Sequence, residues 1–365
     1  MSAAMNAADV AAQRLAAVRT ALAEREVAAL LVTRPANVRW LSGFTAPEDA
    51  RVLVTADDAW LFTDGRYTAQ AAETSVLPAV IDRSWRTEVA ARLPSGALAV
   101  EAEHLTLAGA AALAKATDRE PVRTDGLIAH LRRRKDATEI DAIRRAAELT
   151  DRAYAHVLTH LAPGVREVDL ALEIERFVRS EGGDGMAFDV IVASGVRSAM
   201  PHGVASPKVV EAGDLVTFDL GARVDGYCAD MTRTVGVGDV APAHRALFGA
   251  VLEAQEAAVA AVAPGATAHE VDAVARTVLA RHGQGDAFVH SLGHGVGLEI
   301  HEGPGLAPRA DDVLEPGMVV TVEPGAYHPG DAGVRIEDLV VVTDAGAEVL
   351  SRSPKGWTTV PDAAA

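Results

Sequence analysis

The sequence predicts a smaller α/β domain over residues 1–134, followed by a larger α+β domain of pseudo-twofold construction over residues 135–365. Three observations carry that expectation. The chain has 365 residues, which at about 100–200 residues per domain points to two domains. From residue 28 to about 132, short apolar runs alternate with helical stretches. Beyond Lys135 the order helix, helix, strands occurs twice, and in both halves acidic residues are set into apolar strands.

The elements follow in chain order. The opening stretch through Val27 interleaves Arg and Glu with Ala, Val and Leu at helical spacing, so it reads as an amphipathic helix and not a secretion signal. AALLVT, RVLVT, AWLFTD and GALAVE read as strands, with helices after GRYTAQAAE and over LTLAGAAALAKA. LIAHLRRRKDATEIDAIRRAAELTDRAYAHVLTHL then carries apolar residues at i, i+3, i+4 spacing. Its Arg132, Arg133, Arg134 and Lys135 read as a solvated helix face or linker. Helices over 138–161 and 166–181 precede the strand FDVIVAS and the ribbon LVTFDLGARVDGYCADMTRTVGVG. Helices over about 243–262 and 267–282 precede MVVTVEPGAY and GVRIEDLVVVT.

Composition narrows the function classes. Lys plus Arg is 34 against 51 Asp plus Glu, a net charge of −17 that repels phosphate backbones, so no nucleic-acid partner is expected. No apolar run approaches 18 residues, so no membrane partner is expected either. The single cysteine, Cys228, excludes a disulfide framework and a multi-cysteine zinc site and suits the cytoplasm. On strand parity it shares a face with Asp230, but a lone Cys is more commonly a small buried thiol than a nucleophile. HExxH, G-x-S-x-G and Walker elements are missing from the sequence.

The acidic residues in the strands are the informative anomaly. A charge in VTFDL or TVEPG falls where the pattern demands a buried apolar face, and an unpaired buried carboxylate is very costly. Asp225-Gly226 is a turn signal between Asp219 and Asp230. A loop centred on Val224-Asp225 or on Asp225-Gly226 puts both carboxylates on one face of the hairpin, opposite or one pleat apart. Either one pKa rises sharply or a cation sits between them. Glu323 in VTVEPGAY and Glu337 in GVRIEDLV repeat the anomaly, and His294 in HSLGHGVGLEIHEGP adds a nitrogen donor. Four carboxylates balance two divalent cations, and the set suits Mn²⁺, Co²⁺, Fe²⁺ or Zn²⁺. Two such ions about 3.5–4 Å apart acidify a shared water. Arg335, two residues before Glu337, shares its face on a strand and is expected to order a ligating carboxylate or contact substrate.

FDLGARVDGYCADMTRT, SLGHGVGLEIHEGP, MVVTVEPGAY and GVRIED resemble the pita-bread metallopeptidases (peptidase family M24B). The likeness extends weakly over the N-terminal domain through NVRWLSGF and LFTDGRYTAQA. The resemblance implies a creatinase-like N-terminal domain before a pita-bread catalytic domain. It implies that Asp219 binds one metal, that Asp230 and Glu337 bridge both, and that His294 and Glu323 bind the second. Glu323 would also be the proton shuttle. With that resemblance Mn²⁺ is the expected ion, with Co²⁺ or Zn²⁺ as alternatives. His202 in SAMPHG, His290 in FVHSLGH and His301 in IHEGP match positions that contact the scissile carbonyl or proline and stabilise the tetrahedral intermediate.

The large N-terminal domain and the filled ligand positions point to the Xaa-Pro peptidase branch, and the expected activity is hydrolysis of Xaa-Pro dipeptides. An aminopeptidase P acting on longer Xaa-Pro peptides is the alternative. Archaeal-type prolidases carry an Arg after the HExP element to pair with the dipeptide carboxylate, whereas this chain reads His301-Glu302-Gly303-Pro304-Gly305. Arg51, in the altered loop GFTAPEDA and its following strand, is the candidate substitute, against the reading of a surface strand-edge residue. A non-catalytic peptide-binding protein of the same fold is the reading from another class, and such proteins typically lose ligands. The resemblance also implies a homodimer.

Overall fold

The computed structural model describes residues 6–361. The chain divides into two compact units, one ending at Arg132 and the other beginning at Arg133.

In the first unit α1 (Ala7–Glu24) buries Val10, Ala11, Leu15, Val18 and Leu22, the stripe that its helical spacing announces. It is followed by β1 (Ala29–Val32), α2 (Pro35–Ser42), β2 (Arg51–Thr55), β3 (Ala59–Thr63), α3 (Thr68–Thr74) and β4 (Ala79–Ile81). Then come α4 (Trp85–Ala90), β5 (Leu98–Glu101), α5 (Leu107–Thr117), β6 (Val122–Thr124) and α6 (Leu127–Arg132). The strands form one mixed sheet in the order β4-β3-β2-β1-β5-β6. Every residue of β1 and β5 is buried, as expected of central strands covered on both faces. The sequence reading did not separate β4, β6, α2 or α4. The two strands are three-residue sheet edges with exposed side chains, and the two helices are eight and six residues long. Glu101, buried at the end of β5, accepts hydrogen bonds from the Thr33 and Arg34 backbone N–H groups at 2.6 and 2.7 Å and from Asn37 Nδ2 at 2.5 Å. Its charge thereby sits at the N-terminus of α2, where it is favoured.

The second unit opens with α7 (Ala137–Leu158) and α8 (Glu167–Ser180). Residues 133–135 do link two helices, in keeping with the linker reading of Arg132–Lys135, but the solvated part of that reading is corrected here. α6 stops at Arg132, and α7 starts afresh at a capping box in which Asp136 and Glu139 satisfy each other's backbone N–H groups. Between them the Lys135 ammonium is fully buried against Glu302 at 2.6 Å, Arg133 pairs with Asp312 at 2.6 Å, and only the Arg134–Glu315 pair is well exposed.

Next come β7 (Gly185–Met186), β8 (Ile191–Ser194), β9 (Leu215–Leu220), β10 (Ala222–Val224), β11 (Tyr227–Cys228) and β12 (Met231–Val237). The second half repeats the order with α9 (Pro242–Ala261) and α10 (Ala268–Arg281), then β13 (Gly293–Gly295), β14 (Glu302–Leu306), β15 (Val319–Val322) and β16 (Gly325–Tyr327). It continues with β17 (Gly333–Arg335), β18 (Asp338–Thr343) and β19 (Gly346–Val349), and β20 (Thr359–Val360) returns to the first half. The larger sheets run β20-β12-β9-β8 and β14-β13-β15-β18-β19. α7 and α8 pack together beside the first, α9 and α10 beside the second. Arg233 on β12, 2% exposed, ion-pairs with Asp338 on β18 at 2.8 Å and so ties the two sheets together in the interior.

Candidate metal centre and active site

Asp219 stands on β9 opposite Thr232 of β12, and the same register runs outward through Arg223↔Cys228 and Val224↔Tyr227. The ribbon closes on Asp225-Gly226, whose φ values of 49° and 77° are those of a type I′ turn. Asp230, two residues before Thr232, therefore lies one pleat from Asp219 on the same face, the second of the two registers open to the sequence. Gly221 lies between β9 and β10, where a Cβ would run into the Ala229 carbonyl oxygen. The chains pass close only because no side chain intervenes.

Glu323 and Glu337 sit at breaks in their strands. Pro324 cannot donate to a ladder, so β15 ends at Val322 and pairing resumes with β16; Ile336-Glu337 makes the matching gap between β17 and β18. The gaps turn the carboxylates inward. The Glu337 backbone N–H donates to the Thr232 carbonyl at 3.0 Å, and Thr232 Oγ1 donates to Glu337 Oε2 at 2.7 Å. His294 is held on β13 by its N–H donating to Thr321 Oγ1 at 3.0 Å, and Thr321 Oγ1 in turn donates to Glu323 Oε1 at 3.1 Å.

These five side chains meet in one cavity of about 420 Å³, together with His202, His290, His301, Arg335, Phe188, Ile191, Pro201 and Ile300. That volume falls in the ~300–1,000 Å³ range of small-molecule sites. His294 Nε2 lies 3.6 Å from Asp230 Oδ2 and 3.4 Å from Glu323 Oε1, and ligand atoms of Asp230, His294 and Glu337 fall within 4.8 Å of one another.

The electrostatics favour a cation. Burial and then the neighbouring carboxylates hold Asp230 and Glu337 well above the usual carboxylate range; burial pushes Glu323 up to about 7. His294 Nδ1 faces the Gly295 carbonyl at 3.0 Å and must be the donor, which leaves the Nε2 lone pair directed at the carboxylates. Burial lowers its pKa to about 4, keeping that lone pair free. Asp219 Oδ1 is buried with no hydrogen-bond partner. An oxygen-rich donor set with one neutral imidazole and an orphaned buried carboxylate oxygen fits divalent metal.

Arg335 does what strand parity suggests: its Nη2 donates to Asp219 Oδ2 at 2.6 Å and its Nε to Thr232 Oγ1 at 3.0 Å. Tyr327 is a residue that the sequence reading missed. Its hydroxyl accepts from Arg335 Nη1 at 2.9 Å and lies 3.0 Å from His290 Nε2. His290 Nδ1 faces the Ser291 carbonyl at 2.7 Å, so Nδ1 carries the proton and Nε2 accepts from the tyrosine. A tyrosine in a buried strand carries one available signal, a hydroxyl that must find a partner. Cys228 is buried in an apolar cluster with Ile143, Ala146 and Val296. Arg51 belongs to the first unit, where its guanidinium stacks over Trp85 at 5.1 Å. Among the described residues no helix is long and apolar enough to cross a membrane.

Comparison with known proteins bears on the whole chain. The model of metallopeptidase family M24 matches residues 141–344, and that of the creatinase/prolidase N-terminal domain matches residues 14–134. An Xaa-Pro dipeptidase of Pyrococcus furiosus is 39% identical over 91% of this chain and 95% of its own. Among solved structures, an Xaa-Pro dipeptidase from Bacillus anthracis has a TM-score of 0.93 at 42% identity, covering 96% of this chain and 100% of its own. An X-Pro aminopeptidase from Thermotoga maritima has a TM-score of 0.86 at 36% identity, covering 92% and 99%. With a family model over more than half its length and relatives of this identity spanning both units, the chain belongs to metallopeptidase family M24, in its form with a creatinase/prolidase N-terminal domain.

Proposed function

We propose that this chain hydrolyses the Xaa-Pro bond of dipeptides with two divalent metal ions, Mn²⁺ by preference, held by Asp219, Asp230, His294, Glu323 and Glu337. One observation carries the reading: four carboxylates and a neutral imidazole from both halves converge on one cavity, in a chain whose relatives include Xaa-Pro dipeptidases. Metal bound there supplies an acidified water and a polarised carbonyl. Asp219, Asp230 and Glu337 would hold one ion, and Asp230, Glu337, His294 and Glu323 the other. Glu323, beside His294 in the cavity, carries the proton from the attacking water to the proline nitrogen. His202 and His301, both exposed on the cavity wall, donate to the oxyanion that develops on the scissile carbonyl. His290, with both nitrogens engaged, offers its ring to the proline. Arg335 positions Asp219 and is itself held by Tyr327.

Length selectivity needs a cation for the free carboxylate of a dipeptide. Among the described residues Arg335 is the one Arg or Lys lining the cavity, and it is committed to Asp219 and Tyr327. Arg51 is assigned that role, and the enzyme is assigned to the cytoplasm as a homodimer. The test compares Ala-Pro with Ala-Pro-Ala after chelation and after Mn²⁺ addition. Metal-restored cleavage of the dipeptide alone supports the assignment; strong tripeptide cleavage replaces it with aminopeptidase P. Arg51→Ala should let the tripeptide compete, and an unchanged ratio of the two specificity constants removes Arg51 from the site.

A further inference from the structure

Away from the cavity, three metal-ligating side chains meet where α7 ends beside α8. His156 lies in the last turn of α7, His160 one turn further along the chain, and Glu173 on α8. His156 Nε2 is 2.5 Å and His160 Nε2 3.7 Å from the same oxygen, Glu173 Oε1, and one ligand atom from each residue falls within 4.8 Å of the others. None of the three lines the cavity described above.

Their chemistry is set for coordination. His160 Nδ1 faces the His156 carbonyl oxygen at 3.1 Å; a carbonyl only accepts, so Nδ1 carries the proton and Nε2 presents its lone pair toward Glu173. The His156 ring is fixed by stacking on Phe177, with centroids 4.5 Å apart and planes 23° from parallel. Hydrogen bonds from Arg176 and then His156 hold the Glu173 carboxyl down at about 2, so it is ionised across the neutral range. Metal–ligand bonds of about 2.0–2.2 Å at tetrahedral angles place ligand atoms roughly 3.3–3.6 Å apart. The His160 contact, at 3.7 Å, is about 0.1 Å beyond that spacing, and the His156 contact reaches it by opening about 1 Å.

We propose that His156, His160 and Glu173 form a second, separate metal site that takes one transition cation of the Zn²⁺, Ni²⁺ or Cu²⁺ kind and staples the end of α7 to α8. Two imidazoles and one carboxylate select such ions over Mg²⁺ or Ca²⁺. Water completes the coordination, since His160 is open to solvent. Two groups compete with metal for Glu173: the His156 Nε2–H, which donates to the carboxylate and releases its proton to solvent when metal binds, and Arg176, which ion-pairs with Glu173 from a side chain 65% exposed. On metal binding the arginine swings into solvent at little cost, because exposed pairs of this kind are weak.

The experiment measures Zn²⁺ bound per chain by equilibrium dialysis of the full-length protein, and compares variants with the wild type, so the answer does not depend on how many ions the catalytic centre holds. His160→Ala and Glu173→Gln should each lose one equivalent while hydrolysing Ala-Pro as the wild type does. Arg176→Ala should keep that equivalent and bind it roughly two- to fivefold more tightly, the gain expected from removing one exposed competing ion pair. Cu²⁺ at this site should show electron-spin coupling to two nitrogens in the wild type and to one in His160→Ala. Equal stoichiometry in wild type and His160→Ala, or a Cu²⁺ signal unchanged by that substitution, overturns the proposal.

Discussion

At the residue scale the centre is built by cost. A carboxylate placed where a strand should bury an apolar side chain needs compensation: Asp219 has Arg335, while burial and neighbouring charge raise the pKa values of Asp230, Glu323 and Glu337, a cost that a cation would relieve. Asp230 has the least alternative support, since it is 5% exposed and its neighbours in the site are themselves acidic. Asp230→Asn should cut Ala-Pro hydrolysis by well over a hundredfold, because even residues that merely hold a ligand cost about 10–100-fold. Metal analysis of the purified variant checks it: near-normal activity with full metal content would sink the ligand assignment. Tyr327→Phe removes a hydroxyl that both accepts from Arg335 and donates to His290. A loss of about tenfold in kcat with little change in KM is expected, since Arg335 keeps Asp219 but loses its brace. A change confined to KM would place Tyr327 against the substrate instead. The acidic ligands were legible in the sequence because they break a pattern. Tyr327 was not, because a tyrosine in an apolar strand obeys the pattern and its partners are reached only through the fold. Lys135 misled for the same reason: its partner Glu302 is far along the chain, and four basic residues in a row look solvated until that carboxylate is brought beneath one of them.

At the element scale the ribbon from β9 to β12 sets the spacing of the first two ligands. Its register follows from Asp225-Gly226, and that turn was visible in the sequence; the choice between two loop centres needed the positive φ at both turn residues. Less visible were the interruptions at Glu323-Pro324 and Ile336-Glu337. A run such as GVRIEDLVVVT reads as one strand, yet pairing to β16 on one side and to β15 on the other splits it, and the split is what frees Glu337 to turn toward Thr232. Gly221 makes the equivalent break in the ribbon. Gly221→Ala should destabilise the protein by about 3 kcal/mol, at the upper end of overpacking costs, because the added methyl meets backbone rather than a side chain that can move. Urea unfolding checks this, and a variant within about 0.5 kcal/mol of wild type would mean that the ribbon yields there freely.

At the scale of the whole second unit, the proposed metal ligands come from both halves of the repeat: Asp219 and Asp230 from the first, His294, Glu323 and Glu337 from the second. Arg233 and Asp338 already hold the halves together, supported by Gln255 and Lys355 on the same aspartate at 2.9 and 2.8 Å. None of these ties involves a proposed metal ligand. What metal adds is the removal of repulsion among carboxylates that burial and mutual charge have pushed far from their ordinary pKa values. An ion that binds only the folded state adds RT ln(1 + [L]/Kd), about 2.7 kcal/mol when present at a hundred times Kd. For a unit of roughly 150–250 residues each kcal/mol moves Tm by about 2–4 °C. Chelation should therefore lower Tm by roughly 5–10 °C, with secondary structure retained below the transition, and Mn²⁺ should restore it. In Asp230→Asn, Mn²⁺ should leave Tm unchanged, since one of the proposed ligands is gone. A chelated wild type that melts with the loaded enzyme would mean that the carboxylates of the two halves do not share a cation, and the assignment of the centre would fail with it.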